Sequence, residues 1–156
     1  MIERIQDAII EVTRRCNMKC QHCLRGNQQN LDINIDYVDK FFSKIKTIGC
    51  LTLSGGEPSL VPHIITQIIE SAKRNKTEIN NFYIATNAKK ITEEFILAVL
   101  KLYSYCNENE ISLLKYSNDN FHELVDQENV KLLKSLSAAR RIESVAFAVA
   151  AIHTSL

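Results

Sequence analysis

The sequence predicts an α/β fold, with a parallel sheet whose strands alternate with helices, either doubly wound or a partial barrel. Two observations predict it. Short β-branched runs alternate with longer amphipathic stretches, spaced at about the 30 residues that one strand–helix–strand unit takes. The longer stretches repeat apolar residues at three and four positions, the stripe of a helix that covers a sheet. A length of 156 residues suits one domain, and residues 1–156 are read as such.

The elements follow in order. Ala8, Ile9, Ile10, Val12 and Thr13 form a short β-branched run and predict the first strand. A polar loop follows, from 14 to about 34. Ile35, Val38, Phe41, Phe42, Ile45 and Ile48 then keep helical spacing, and Gly49 is expected to stop that helix. Cys50, Leu51, Thr52, Leu53 and Ser54 predict the second strand, cut off by Gly55 and Gly56. Pro62 suits a first helical turn, and Ile64, Ile65, Ile68, Ile69 and Ala72 form the next stripe. Residues 80–85 predict a third strand around Phe82 and Ile84. Thr92 is a good N-cap for a third helix carrying Phe95, Ile96, Val99, Leu100 and Tyr103. Residues 110–116 read as a fourth strand, Val130, Leu132, Leu133 and Leu136 as a fourth helix, and 145–150 as a fifth strand. Beyond about 137 the alanine content suits a helix as well as a strand, and the end reads either as natural or as a truncation.

Composition excludes several classes. Hydrophobic residues at 46% and charged residues at 24% are globular values, not those of a disordered chain. Charge is balanced, 19 Lys and Arg against 18 Asp and Glu, so nucleic acid and anionic membranes have no electrostatic footprint. No apolar run reaches the roughly 18–20 residues of a membrane span. The N-terminus lacks the apolar stretch of a signal peptide. The expectation is a cytoplasmic protein whose five cysteines are thiols.

Three of those cysteines, Cys16, Cys20 and Cys23, form C-x3-C-x2-C in the first loop. Three thiolates on one short polar loop can reach one metal centre, with Arg14, Arg15 and Lys19 placing cations beside them. Structural zinc usually takes four ligands, and His22, between two cysteines, would strain a closed site. A cubane iron–sulfur cluster needs three cysteines if one iron stays open. Cys50 and Cys106 are isolated and read as small buried hydrophobes. In a parallel α/β sheet, loops at the carboxyl ends of the strands carry function. The cysteine loop, Gly55-Gly56-Glu57-Pro58 and Thr86-Asn87 would therefore converge on one edge.

Cys16, Cys20 and Cys23 after one strand, with Ser54-Gly55-Gly56-Glu57-Pro58 after the next, resemble the radical S-adenosylmethionine (radical SAM) superfamily, from about residue 8 to about 136. The resemblance implies a full or partial (β/α) barrel. Here it would have about four to five βα units, fewer than the usual six. It also implies that Cys16, Cys20 and Cys23 ligate a [4Fe-4S] cluster. Gly55, Gly56, Glu57 and Pro58 would hold the amino group of S-adenosylmethionine. His22 stands where the family often has an aromatic residue near the adenine. Thr86, Asn87 and Ala88 are similar to the family's Thr-Asn-Gly beside the cofactor, with alanine in place of glycine. Ser117 and Asp119 look like its Ser-x-Asp, facing ribose or carboxylate, with His122 after them.

The function implied is reductive cleavage of S-adenosylmethionine to methionine and a 5′-deoxyadenosyl radical that abstracts hydrogen from a substrate. A one-electron reductant, flavodoxin- or ferredoxin-like, would be the partner, in a site protected from oxygen. The substrate is not readable: the chain could be an activase acting on a partner protein, a nucleoside- or peptide-modifying enzyme, or part of a longer product. A different class also fits the cysteines alone, an iron–sulfur electron-transfer or zinc-binding module without S-adenosylmethionine chemistry.

Overall fold

Strands β1 (Ile2–Thr13), β2 (Ile45–Gly55), β3 (Glu78–Thr86) and β4 (Leu113–Tyr116) form one sheet in a computed structural model that describes residues 1–20, 23, 25–108, 112–117 and 126–139. Every neighbouring pair is parallel, and the spatial order is the chain order, β1-β2-β3-β4. A doubly wound sheet reverses direction at a switch point. No reversal occurs among the described strands, an order that a barrel segment also has. Between them lie α1 (Ile35–Phe42), α2 (Pro62–Asn75) and α3 (Glu93–Tyr105), with α4 (Gln127–Ala139) after β4.

The core follows from the register. Ile10, Leu53, Ile84 and Leu114 align across the sheet and are all buried, as are Ala8, Leu51 and Phe82 one pleat below. The helical stripes pack into this row: Val38 and Phe42, then Ile65, Ile68 and Ile69, then Phe95 and Val99, then Leu133 and Leu136. Side chains of the intervening row, such as Ile9 at 72% exposed and the half-buried Thr52 and Tyr83, stand on the other face. Pro62 occupies the first turn of α2, and Thr92 caps α3 by accepting from Phe95 N at 3.3 Å.

Two expectations are corrected at the first helix. Helix α1 ends at Phe42, with Ser43 N donating to Asp39 O at 2.9 Å. Ile45 and Ile48 belong to β2, where Ile2 pairs with Ile45 and Ile5 with Ile48. Their spacing of three fits a helix, but the β-branched run Ile45-Lys46-Thr47-Ile48 gains more as a strand beside β1. Gly49 therefore stops no helix. It lies within β2, where a Cβ would stand 2.6 Å from Gln6 O. Strand β1 also starts six residues earlier than expected, because Ile2–Asp7 pairs through its backbone while most of its side chains stay exposed. Residues 110 and 111 of the expected fourth strand, the expected fifth strand at 145–150, and His22, Asp119 and His122 lie outside the described residues. Among the described residues no helix is long and apolar enough to cross a membrane.

Candidate functional site

The chain leaves β1 at Thr13 and returns at Asp32, which bridges back to Thr13. This junction is stitched closed. Thr13 Oγ1, on a residue only 1% exposed, donates to Asp32 Oδ1 at 2.5 Å and to Leu31 O at 3.2 Å, and accepts from Arg15 N at 3.0 Å. Arg15 Nε donates to Asp32 Oδ1 at 2.9 Å, and its Nη2 pairs with Oδ2. Arg14 N donates to Leu31 O at 2.7 Å and Ile33 N to Val12 O at 3.1 Å. Partial burial pushes the Asp32 carboxyl up. The hydrogen bonds from Thr13 and Arg15, with the Arg15 charge, outweigh that and hold it below the usual carboxylate range. Arg15 is thus committed to the base of the loop, not to a thiol.

Above this base the loop walls a cavity of about 540 Å³, lined by Cys16, Cys20, Cys23 and Gly56, with Arg14, Lys19 and Arg25 also on its wall. Cys16 Sγ accepts from Met18 N at 3.4 Å. Cys23 N donates to Cys20 O, and Gly26 N to Cys23 O, both at 3.1 Å. Gly26 takes φ +71°, which glycine adopts freely. Arg25 ties this end of the loop to the sheet, donating to Glu11 Oε1 at 2.6 Å and to Ser54 Oγ at 3.0 Å.

The segment after β2 packs directly under the loop. Gly56 N donates to Thr13 O at 2.7 Å and Glu57 N to Arg15 O at 2.8 Å. A Cβ on Gly55, which has φ +154°, would lie 2.4 Å from Thr13 O, and one on Gly56 would lie 2.2 Å from Arg15 O. Both glycines are demanded by the chain's own backbone. Pro58 opens a short 3₁₀ turn, Pro58–Leu60, and is buried. Glu57, 1% exposed, has a protein donor on each carboxylate oxygen: Oε1 accepts from Thr86 Oγ1 at 2.6 Å and Ser59 N at 2.9 Å, and Oε2 from Asn87 N at 2.6 Å. It joins the end of β2 to the end of β3.

Thr86 and Asn87 complete the junction. Thr86 Oγ1 accepts from Ala88 N at 3.1 Å, and Thr86 O from Ser117 N at 3.0 Å, which registers the end of β4. Asn87 reaches Asn17 and Cys16 in the loop, and Lys89 Nζ donates to Asn17 O at 3.0 Å. Ala88 stands at φ 55°, the left-handed conformation that glycine takes without strain.

The structure therefore brings Cys16, Cys20, Cys23, Gly55, Gly56, Glu57, Pro58, Thr86 and Asn87 to one edge, with half-buried Ser117 at its far side. Thr13, Asn17, Arg25 and Asp32 hold the site together, and no pattern in the sequence singled them out. Their partners lie in other segments, and only the folded register joins them. Cys106 is buried, its thiol pushed up to about 12 by loss of solvent, an inert group away from the cavity. Cys50 is half-buried rather than buried, and its thiol too is pushed up by burial. A cavity whose candidate ligands among the described lining residues are three thiols presents a soft donor set suited to iron–sulfur or zinc. In the chain alone those thiols do not close on one point: among the described residues no three His, Cys, Asp or Glu side chains are placed to hold a single ion.

Comparison with known proteins adds four findings. The family model of the radical SAM superfamily matches residues 10–152. A curated relative from Methanocaldococcus jannaschii, "Uncharacterized protein MJ0907", is 31% identical over 110 residues, which are 65% of this chain and 37% of that protein. A solved structure described as "Native anSMEcpe with bound AdoMet and Cp18Cys peptide" superposes with a TM-score of 0.61 at 16% identity, over 92% of this chain and 42% of that one. A second, "Crystal structure of Streptococcus suis SuiB bound to S-adenosylmethionine", reaches 0.44 at 19% identity, over 65% and 23%. The chain spans less than half the length of each of these proteins, and the first structural likeness shows a shared fold.

Proposed function

The chain belongs to the radical SAM superfamily, and from that premise we propose that residues 1–156 are the cofactor-binding core of a radical SAM enzyme. The observation that carries the reading is the single cavity shared by Cys16, Cys20, Cys23 and Gly56 at the carboxyl edge of the sheet. The donor set fits the family's cofactors: three thiols can ligate three irons of a [4Fe-4S] cluster and leave the fourth open. When bound, the cluster and S-adenosylmethionine supply a one-electron cleavage that yields methionine and a 5′-deoxyadenosyl radical able to take hydrogen from a substrate.

The chain's own groups bind and orient. Cys16, Cys20 and Cys23 are the metal ligands. The Gly55-Gly56 backbone beside them offers carbonyl acceptors to the amino group of S-adenosylmethionine. Glu57 and Thr86 act one step back, since their side chains bond each other, and they lock the ends of β2 and β3 under the cysteine loop. Ser117 stands at the end of β4, where a ribose or carboxylate oxygen could be met, and Asp119 and His22 are assigned to the same adenosyl end by the family pattern. Arg14, Lys19 and Arg25 place positive charge around a site that would carry net negative charge. The electron donor is a flavodoxin- or ferredoxin-like protein, and the setting a cytoplasm protected from oxygen.

The test is product formation. The chain is purified without oxygen, reconstituted with iron and sulfide, reduced and given S-adenosylmethionine. Mass spectrometry is expected to find 5′-deoxyadenosine, absent from a Cys20→Ala variant. A cluster that assembles without any 5′-deoxyadenosine contradicts the proposal and favours an electron-transfer module.

A further inference from the structure

The side-chain amide of Asn87 is held so that it faces one way. The residue is 7% exposed, its backbone N–H is fixed by Glu57 Oε2 at 2.6 Å, and its Oδ1 accepts from Lys89 N at 3.0 Å. With Oδ1 engaged by a donor, Nδ2 must carry the hydrogens toward the cysteine loop. Two acceptors meet them there: Asn17 Oδ1 at 2.7 Å and Cys16 Sγ at 3.8 Å. The same sulfur receives Met18 N at 3.4 Å. A thiolate that ligates iron gains electron density when the metal centre is reduced, and an N–H aimed at it then binds more strongly. Hydrogen bonds to sulfur are for this reason a lever on the reduction potential of iron–sulfur centres.

We propose that Asn87 is a positioning residue that raises the reduction potential of the metal centre held by Cys16, Cys20 and Cys23, through its N–H to Cys16 Sγ. The inference rests on reading those cysteines as an iron–sulfur site. It makes Asn87 a link as well: Glu57 in the Gly-Gly-Glu-Pro segment sets the Asn87 backbone, and Asn87 sets the environment of Cys16. The step affected is the uptake of one electron from an external one-electron donor, with no bond made or broken in the protein.

A dithionite redox titration followed by electron paramagnetic resonance (EPR), on the reconstituted wild type, Asn87→Ala and Asn17→Ala, tests it. Asn87→Ala is expected to titrate at lower potential, with the reduced-to-oxidised ratio at the wild-type midpoint falling roughly threefold to fivefold, the effect of losing one modest hydrogen bond. Asn17→Ala, which removes the competing acceptor of the same amide and keeps the N–H to sulfur, is expected to titrate no lower than the wild type. Equal potentials for wild type and Asn87→Ala overturn the inference and leave the cluster reading standing. Should Asn87→Ala not assemble, the wild type and Asn17→Ala labelled with 15N-asparagine decide. Pulsed EPR is expected to show 15N coupling to the reduced cluster in both, and its absence from both overturns the inference. A wild type that assembles no cluster overturns the underlying reading and the inference with it.

Discussion

Ala88 follows Asn87 in the left-handed conformation at φ 55°, fully buried, with Asn129 Nδ2 donating to its carbonyl at 3.0 Å. The similar family pattern has glycine there, and the backbone keeps the glycine geometry although the side chain has changed. For an alanine this conformation costs about 1–2 kcal/mol. Ala88→Gly relieves that strain and loses about 0.8 kcal/mol of methyl burial together with about 0.4–1 kcal/mol through the freer unfolded chain. The expected net change is close to zero. Ala72→Gly, in the middle of helix α2 and equally buried, has no strain to relieve. It is expected to cost about 2 kcal/mol from helix propensity and lost burial. Urea unfolding midpoints of the two variants check this, and equal losses would contradict the strain at Ala88. The same scale shows what a motif can hide. Gly55 and Gly56 read as holding the amino group of S-adenosylmethionine, and the first atoms a Cβ on them would strike are the chain's own Thr13 O and Arg15 O. Glu57 reads as a ligand contact, yet each of its carboxylate oxygens has a protein donor.

Among the elements, the cysteine loop depends on its base. Asp32 has a carboxyl held below the ordinary range, by hydrogen bonds from Thr13 and Arg15 and the charge of Arg15, against the opposing effect of burial. A depressed folded pKa means that the unfolded chain binds the proton first on acidification. The contribution of Asp32 is therefore complete above the ordinary carboxylate value and is lost as pH falls through the folded value. Stability measured by urea unfolding is expected to fall with acidification below that range, and Asp32→Asn is expected to make the profile shallower. The slope that remains includes Asp39, also held low by Ser71 and Arg74. A profile unchanged in Asp32→Asn would contradict the clamp. This network was not legible beforehand, because Asp32 lies 17 residues from Arg15 and 19 from Thr13 in a polar loop without period. Legibility at this scale followed local pattern. The stripes of α2 and α3 and the cap at Thr92 were readable, since each is written within a few adjacent turns. The border between α1 and β2 was not, because Ile45 and Ile48, three residues apart, keep the helical spacing and only pairing with Ile2 and Ile5 places them in a strand.

For the whole molecule, the sheet order explains the site. Strands laid down in chain order bring the ends of β1, β2, β3 and β4 along one edge, so that segments as distant as Cys16 and Asn87 meet. The convergence of the three loops followed from the alternation of strands and helices together with the place of the cysteines and the Gly-Gly-Glu-Pro segment after their strands. The contacts that lock the loops to one another did not, because they join residues about 70 apart with no sequence trace of the pairing. The central claim is that this edge is one cofactor site, with the cysteine loop for metal and the Gly-Gly-Glu-Pro segment for S-adenosylmethionine. The most direct measurement is the EPR spectrum of the reduced, reconstituted chain before and after S-adenosylmethionine is added. The claim predicts a changed signal, because the ligand would bind at an iron that the cysteines leave open. A reduced cluster whose spectrum is unaltered at saturating S-adenosylmethionine would contradict it.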